Sequence, residues 1–266
     1  TDDNMNAFFR TNGYDEVFSQ ENYPADKVVN SFGVQDDFLY DYAIPVLNQR
    51  AATGQPFFAT LLSISNHPPY VIPPFFHPKT SEPETQIVEY ADWALRQFFE
   101  EARKQPWFDN TIFVLEGDHG KLVGDAECEL PESYNHIPLM IYSSRIQPEE
   151  KTTFGGQVDI QPTILGLLNI DYLQNNFGVD LLKEERPCMF YTADNMVVGR
   201  NDTLLYLYNY ETQQELTYDI GNGKLNAVPM DDSFLPLKEY SFSMLQSAEF
   251  LVKHGKTLNS IPFTQQ

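Results

Sequence analysis

Apolar and polar residues along the first two-thirds of the chain form blocks that are typical of alternating strands and helices. Continuous apolar runs at residues 57–64, 111–115 and 137–142 predict strands that are buried on both faces. Residues 85–104 place apolar side chains at helical spacing with charges on the other side, and residues 158–168 predict another helix. This order favours right-handed crossovers, and therefore a mainly parallel sheet flanked by helices.

The pattern changes after about residue 187. Short aromatic and β-branched runs alternate there with turn signals such as Gly221-Asn222-Gly223, which is typical of antiparallel hairpins. Residues 236–253 predict a closing helix. We therefore predict one continuous α/β domain, with its core in residues 1–186 and a small antiparallel region with the closing helix in residues 187–266.

The composition indicates a folded and strongly acidic protein. With 42% hydrophobic and 14% aromatic residues among 266, the chain can fill a sizeable core. The net charge of −21 argues against nucleic acid as a partner, because a phosphate backbone requires a basic surface. A polyanionic substrate would need a bound cation to approach such a protein. No apolar run approaches the roughly 18 residues that a membrane-spanning helix requires.

Two further features of the sequence concern its first residues and its two cysteines. It begins with Thr1-Asp2-Asp3 instead of Met and a basic region, so we expect it to be part of a longer protein. Cys128 and Cys188 are far apart and form no C-x-x-C pair, which argues against a zinc ribbon or a thioredoxin-type site. A single disulfide between these two residues is compatible with the sequence but not implied by it.

The strongest candidate for chemistry is the run Glu116-Gly117-Asp118-His119-Gly120, directly after the predicted strand at residues 111–115. Open α/β sheets bind ligands at the carboxyl ends of their strands. A carboxylate oxygen and an imidazole nitrogen together suit zinc or manganese, and the two glycines let the backbone approach a ligand closely. The alternative is a solvated turn in which Asp118 caps the backbone.

Two other histidines are weaker candidates. His67 follows the predicted strand at residues 57–64, so it would share a crevice with His119 if the two strands are near neighbours. His136 precedes the third strand, which places it at the opposite edge unless its loop folds back, and both a site role and a structural role stay open. Asp159 is interpreted as a residue of a helix N-terminus, where it would act as a cap or a dipole partner.

Several motifs, in order and correctly spaced over residues 6–182, resemble the lipoteichoic acid synthase group of the sulfatase-like alkaline phosphatase superfamily. The motifs are Asn12-Gly13-Tyr14-Asp15, Ser65-Asn66-His67, Tyr90-Ala91-Asp92-Trp93-Ala94-Leu95, Phe108-Asp109-Asn110-Thr111-Ile112, the Asp118-His119 run above, and Gly156-Gln157-Val158-Asp159-Ile160-Gln161-Pro162-Thr163-Ile164-Leu165. Together they are far more specific than any one of them alone.

The resemblance implies an alkaline-phosphatase-like fold and a membrane-anchored bacterial enzyme whose catalytic domain faces outward. It implies one divalent metal, manganese or zinc, and a threonine that becomes loaded with phosphoglycerol. Asp118 and His119 match two of the family's metal ligands, and His67 matches its substrate-contacting histidine. Anionic lipids, phosphodiesters or sulfate esters would be the substrates.

The chain also departs from the family pattern. We expect the nucleophilic threonine and the remaining acidic ligand to lie upstream of Thr1, and the chain has no Cys-x-Pro-x-Arg motif of sulfatases. Asp3 and Met5 stand where the family has its substrate-binding W-x-R pattern, which leaves phosphoglycerol specificity open. Asn4 and His136 are the candidate substrate contacts in its place.

The resulting hypothesis is a metal-dependent transferase of phosphoglycerol or a related phosphoryl group, present as a part that lacks its nucleophile. A sulfuric ester hydrolase or phosphodiesterase on the same scaffold is an alternative. A catalytically inactive binding or structural fragment is another. We also expect weak metal binding by this chain, and a homodimer formed through an exposed edge of the sheet.

Overall fold

A computed structural model of the protein describes residues 4–122, 124–153 and 155–257. The helices of this part of the chain are α1 (Met5–Thr11), α2 (Asp36–Ala51), α3 (Pro83–Ala102), α4 (Ile160–Leu167) and α5 (Leu235–Lys253). Its strands are β1 (Val28–Asn30), β2 (Gly33–Val34), β3 (Phe113–Glu116), β4 (Leu139–Tyr142), β5 (Met189–Ala193), β6 (Met196–Arg200), β7 (Leu204–Asn209), β8 (Gln214–Asp219) and β9 (Asn226–Ala227). The predicted α/β class, with an antiparallel C-terminal region and a closing helix, is confirmed.

The chain divides into two compact units. The first contains the described residues of Thr1–Val114 and Ile141–Gln147, and the second contains those of Leu115–Met140 and Pro148–Gln266. The division of the chain that the sequence suggested stays a prediction. None of the helices in the described ranges has the length and the apolar character that a bilayer crossing demands.

Helices α2 and α3 carry the core of the first unit. The predicted helix at residues 85–104 is confirmed as α3, and its buried side chains recur every three or four residues. These are Ile87, Tyr90, Ala94, Phe98 and Ala102. Tyr90 is fully buried and donates a hydrogen bond of 2.6 Å to Asp37 at the start of α2. The two helices are therefore joined by apolar packing and by a buried polar contact.

A five-stranded antiparallel sheet, β5-β6-β7-β8-β9, forms the centre of the second unit. Alternate residues of each strand face opposite sides, as the period of a strand requires. Leu205 and Leu207 of β7 pack with Val198 and Ile220 in one apolar cluster. Tyr206, between the two leucines, packs with Phe234 and Leu237 in another cluster. The hairpins predicted for this region are confirmed, and the sheet is covered by apolar side chains on both faces.

Helix α5 packs closely on β6 at a glycine. Ser241 of α5 is fully buried, and its hydroxyl donates hydrogen bonds to the carbonyls of Leu237 at 2.7 Å and Val198 at 3.2 Å. A Cβ atom on Gly199 would meet the Ser241 hydroxyl and the Leu237 carbonyl. A glycine is therefore required at this position by the close approach of helix and strand.

The strand predicted at residues 57–64 is wrong. This segment belongs to no helix or strand, and Phe58 and Leu62 are 80% and 54% exposed. An apolar run can be buried as a strand only where a neighbour pairs with its backbone, and within the described residues none does. The strands predicted at residues 111–115 and 137–142 are confirmed as β3 and β4, so the predicted sheet is reduced to this pair.

Candidate metal centre

Asp118 and His119 lie in the exposed loop that directly follows β3, in the second unit. One carboxylate oxygen of Asp118 accepts the His119 backbone N–H at 2.8 Å, and the other lies 3.8 Å from Nε2 of His119. Both side chains are largely exposed, at 78% for Asp118 and 71% for His119. The backbone hydrogen bond fixes the carboxylate, so the pair presents one oxygen and one nitrogen to solvent on the same side.

The hydrogen bonding of His119 determines which of its nitrogens is available to a metal. Nδ1 lies 2.7 Å from the carbonyl oxygen of Gly120, and because a carbonyl only accepts, Nδ1 carries the proton. In the neutral ring the lone pair is then on Nε2, the atom that is near Asp118. The 3.8 Å between Nε2 and the carboxylate oxygen lies within the span of two metal–ligand bonds of about 2.0–2.2 Å each. The donor set fits a divalent metal.

Two other segments of the second unit form hydrogen bonds with the backbone of this loop. The side-chain amide of Gln157 donates hydrogen bonds to the carbonyls of Gly117 at 3.2 Å and Asp118 at 3.0 Å. The N–H of Gly120 donates to the carbonyl of Tyr134 at 2.7 Å. The side chains of Asp118 and His119 are exposed, but the loop that carries them is anchored through its backbone.

His136 lies in the segment that contacts this loop. The side chain of Ile137 lies beside Gly117, and the backbone of Ser133 and Tyr134 lies beside Gly120. The loop before β4 therefore folds back onto the Asp118 loop, which was the condition for a site role of His136. Its backbone N–H donates to Glu132 at 2.8 Å and its side chain is exposed. The role of His136 in substrate binding stays a prediction.

Asp159 makes far stronger contacts than the sequence indicated. Its side chain is fully buried and pairs with Arg186, which is 5% exposed, through nitrogen–oxygen contacts of 2.8 and 2.9 Å. Its oxygens also accept the N–H groups of Gly156 and Val179, each at 2.8 Å. Burial alone would lower the pKa of the Arg186 guanidinium, but the hydrogen bonds and the charge of Asp159 raise it above its usual value. The interpretation as a mere helix-terminus residue is corrected to a buried ion pair.

His67 lies in a turn of the first unit and not at the end of a strand. The carboxylate of Asp36 is buried, and it accepts the N–H groups of Ile64 at 3.1 Å and Ser65 at 3.0 Å. The Ser65 hydroxyl in turn donates to Gln35 at 2.9 Å. Burial raises the pKa of Asp36, and the hydrogen bonds from Ser65 oppose part of the rise. The first turn of α2 therefore fixes the backbone just before His67.

The ring of His67 is oriented in the same way as that of His119. Its Nδ1 lies 2.7 Å from the carbonyl oxygen of Pro68, which makes Nδ1 the donor and leaves the lone pair of the neutral ring on Nε2. The ring of Phe32 lies against the imidazole, with centroids 4.0 Å apart. His67 is exposed, and its Nε2 is available to a ligand.

The structure brings some of the predicted site residues together. Asp118 and His119 form one loop, whereas His67 and Asn4 belong to the first unit. Asn4 is exposed in a left-handed conformation before α1, and its side chain caps nothing. The convergence of His67 with the metal ligands stays a prediction. In the described parts of the chain, no three His, Cys, Asp or Glu side chains are grouped to hold a metal.

Burial raises the pKa of three other groups in the second unit, Glu116, Cys128 and Cys188. Burial raises the pKa of Glu116, and the negative charge of Asp118 adds to the rise. Cys128 and Cys188 are free thiols, and burial raises the pKa of both. A raised pKa disfavours the thiolate form of both cysteines.

The profile of the Sulfatase family matches residues 2–170, and the chain belongs to this family. Among solved structures, it resembles an alkaline phosphatase superfamily protein from Vibrio parahaemolyticus, with 28% identity and a TM-score of 0.81 over 93% of this chain. It also resembles the lipoteichoic acid synthase LtaP from Listeria monocytogenes, with 22% identity and a TM-score of 0.77 over 98% of this chain. The resemblance and the fold class expected from the motifs are confirmed.

Among curated proteins, the chain is 27% identical over 243 residues to lipoteichoic acid synthase 1 of Bacillus subtilis (strain 168). The match covers 83% of this chain and 36% of that relative. The chain covers 62% of the solved protein from Vibrio parahaemolyticus and 68% of that from Listeria monocytogenes. The present chain therefore corresponds to a part of these relatives.

Proposed function

We propose that this chain is the metal-binding part of a transferase that moves phosphoglycerol or a related phosphoryl group during the modification of cell-envelope polymers or lipids. The observation that carries the proposal is the hydrogen bond from Nδ1 of His119 to the Gly120 carbonyl, which leaves the lone pair of the neutral ring on Nε2, 3.8 Å from a carboxylate oxygen of Asp118. The similarity to lipoteichoic acid synthases supports the choice of a transferase.

Each candidate residue has a role in this proposal. Asp118 and His119 hold one divalent metal, manganese or zinc, which supplies Lewis-acid stabilisation of the charge on the transferring group. His67 forms a hydrogen bond with the anionic ester, or serves the leaving group as a general acid. Asn4 and His136 offer polar contacts to the substrate. Transfer from an anionic ester requires neutralisation of its charge and a proton for the leaving group. In this proposal the metal supplies the first and His67 supplies the second.

The charge of the protein constrains the substrate and supports the need for a cation. With 38 acidic and 17 basic residues, the surface repels an anionic lipid, phosphodiester or sulfate ester unless a bound cation offsets the field. We propose an extracytoplasmic domain of a bacterial membrane protein as the setting, since the curated relatives are named for an envelope polymer. The same acidity makes nucleic acid an unsuitable partner.

Two other functions have some support. The family profile is that of sulfatases, which favours hydrolysis of a sulfuric ester or phosphodiester on the same scaffold. The absence of a third grouped ligand in the described ranges favours an inactive binding or structural role for this chain alone. Turnover assays of the purified chain with phosphodiester and sulfate ester substrates test the inactive alternative. We expect no measurable turnover, and activity that His119→Ala abolishes would contradict an inactive role for this chain.

The proposed metal site predicts weak but specific binding of Mn²⁺. We expect calorimetric titration of the purified chain to give a dissociation constant above about 1 µM, because two protein ligands rarely hold such a cation tightly. His119→Ala should abolish the binding, since it removes one of the two ligands. His77→Ala, which removes another exposed histidine of the chain, should leave it unchanged.

One outcome would overturn this site, and another would extend it. Equal Mn²⁺ binding by the wild type and by His119→Ala would show that the cation binds elsewhere, for example to the acidic surface. If the wild type has a dissociation constant well below 1 µM and His136→Ala raises it, His136 is a further ligand of the metal.

We also propose that the chain forms a homodimer, and we place its interface at residues 57–64, which belong to no sheet, in place of the sheet edge expected from the sequence. This segment carries no charge, and Phe58 is 80% exposed on it, so it is a place where two copies of this acidic chain can meet without charge repulsion. Light scattering at high protein concentration should show a dimer, and Phe58→Lys should shift it to monomer. Val88→Lys, at a 53% exposed position of α3, should not. A strictly monomeric wild type would refute the dimer.

A further inference from the structure

We propose that Gln157 is a positioning residue that holds the loop of residues 117–120 in the conformation that binds the metal, and that the buried Arg186–Asp159 pair fixes Gln157 in turn. The inference rests on the proposed metal site at Asp118 and His119. It assigns a purpose to the Gly156-Gln157-Val158-Asp159 motif, which takes no part in the chemistry proposed above.

The contacts of Gln157 are matched to the backbone around the ligand. Its amide nitrogen has two hydrogens, and it donates to two successive carbonyls, those of Gly117 at 3.2 Å and Asp118 at 3.0 Å. One carbonyl belongs to the peptide before the Cα of Asp118 and the other to the peptide after it. Fixing both peptides fixes the φ and ψ angles of Asp118, and therefore the direction in which its carboxylate leaves the backbone.

The turn that carries Gln157 is closed at both ends by Asp159. The N–H of Gly156 donates to the Asp159 carboxylate at 2.8 Å, and the N–H of Asp159 donates back to the Gly156 carbonyl at 2.9 Å. The carboxylate is itself held by Arg186, whose guanidinium also donates to the Phe177 carbonyl. Gln157 is exposed, but the turn that carries it is closed by the buried carboxylate of Asp159.

This chain of contacts leads from the buried ion pair to the exposed ligands without a gap. Arg186 orients the Asp159 carboxylate, and Asp159 closes the turn of residues 156–159. The closed turn places the side-chain amide of Gln157 against the carbonyls of the loop. Without these contacts, a loop exposed to solvent would sample many backbone conformations. The loss of conformational entropy on ordering the loop would then reduce the affinity for the metal. Residues outside the ligand set typically change metal affinity by about 10- to 100-fold when removed.

The proposal is tested with Gln157→Glu, which keeps the size and shape of the side chain but replaces both donors by acceptors that face two carbonyls. We expect the Mn²⁺ affinity to fall by about 10- to 100-fold in calorimetry, with the far-UV circular dichroism and the melting temperature unchanged. Gln161→Glu is the matched control. It adds the same charge four residues away and keeps the oxygen that accepts from Asn176 at 2.9 Å.

A second measurement needs no metal. In the metal-free protein, the His119 amide donates to the Asp118 carboxylate and the Gly120 amide donates to the Tyr134 carbonyl. Hydrogen exchange should show that both amides exchange at least about 10-fold faster in Gln157→Glu than in Gln161→Glu. Gln157→Lys, which restores donors at similar reach, should recover part of the protection. Faster exchange that Gln157→Lys reverses points to positioning and not to a general loss of structure.

The outcomes distinguish this inference from the proposed function. If the wild type binds no Mn²⁺, the proposed metal site fails, and the hydrogen exchange still reports whether Gln157 holds the loop. If the wild type binds Mn²⁺ and Gln157→Glu binds it equally well, the metal site stands and the positioning role is overturned. Unchanged exchange of the loop amides in Gln157→Glu overturns it as well.

Discussion

Arg186→Met is expected to lower the free energy of unfolding by about 3–5 kcal/mol, because it strands the buried carboxylate of Asp159 without its cation. Asp159 is 0% exposed and would keep only the N–H groups of Gly156 and Val179 as partners. Urea denaturation followed by far-UV circular dichroism measures the effect. Since the pair also closes the turn of Gln157, the variant should lose Mn²⁺ affinity in the same step.

Two comparisons separate the buried pair from charge in general. Lys253→Met breaks an ion pair of 3.1 Å with Glu249 whose side chains are 70% and 56% exposed, and it should change stability by at most about 1 kcal/mol. The double variant Asp159→Asn, Arg186→Met removes both charges and should recover part of the loss. An Arg186→Met protein as stable as the wild type would contradict the buried pair.

Gly120→Ala is expected to destabilise the protein by at least about 1–3 kcal/mol and to weaken Mn²⁺ binding, because the added methyl group has no room. A Cβ atom at this position would overlap the carbonyl oxygen of Ser133, and backbone cannot rotate away as the end of a side chain can. The loop would have to separate from residues 133–134, which breaks the Gly120–Tyr134 hydrogen bond. Urea denaturation and Mn²⁺ calorimetry measure the two effects.

Gly117→Ala is the control in the same loop. Its Cβ would lie 3.4 Å or more from the side chain of Ile137, which is close to ordinary contact, so we expect a change in stability within about 0.5 kcal/mol. Equal losses in the two variants would mean that the loop requires glycine for flexibility and not for the approach of residue 133. Both glycines look alike in the sequence, and only the packing distinguishes them.

The elements with a strong local pattern were predictable. The helical spacing of Ile87, Phe98 and Ala102 identified α3 and its buried face, since amphipathic periodicity is a property of the segment itself. The hairpins after residue 187 were predictable for the same reason, because turn residues and alternating side chains are local signals. The Asp118-His119 pair was found because it directly follows such a strand.

The features that depend on distant partners were not predictable. Residues 57–64 have the composition of a buried strand, but a strand also requires a neighbour, and composition carries no information about one. Asp159 pairs with a residue 27 positions away, and Asp36 fixes the turn of His67 across 29 positions. A buried role for Arg186 had one weak signal, which is the scarcity of basic residues in this acidic chain. The sequence indicated Gln157 only as one residue of the motif at residues 156–165.

The tight contact between α5 and β6 sets a practical limit on shortening the protein. A Cβ atom on Gly199 would meet Ser241 and Leu237, and the Ser241 hydroxyl bonds the Val198 carbonyl, so this part of α5 lies directly on β6. A version that ends before Ser241 would uncover apolar side chains on the side of the sheet formed by β5 and β6 and invite aggregation. Any cut intended to help expression or crystal growth therefore belongs beyond Phe242, whose ring packs on Tyr208 of β7.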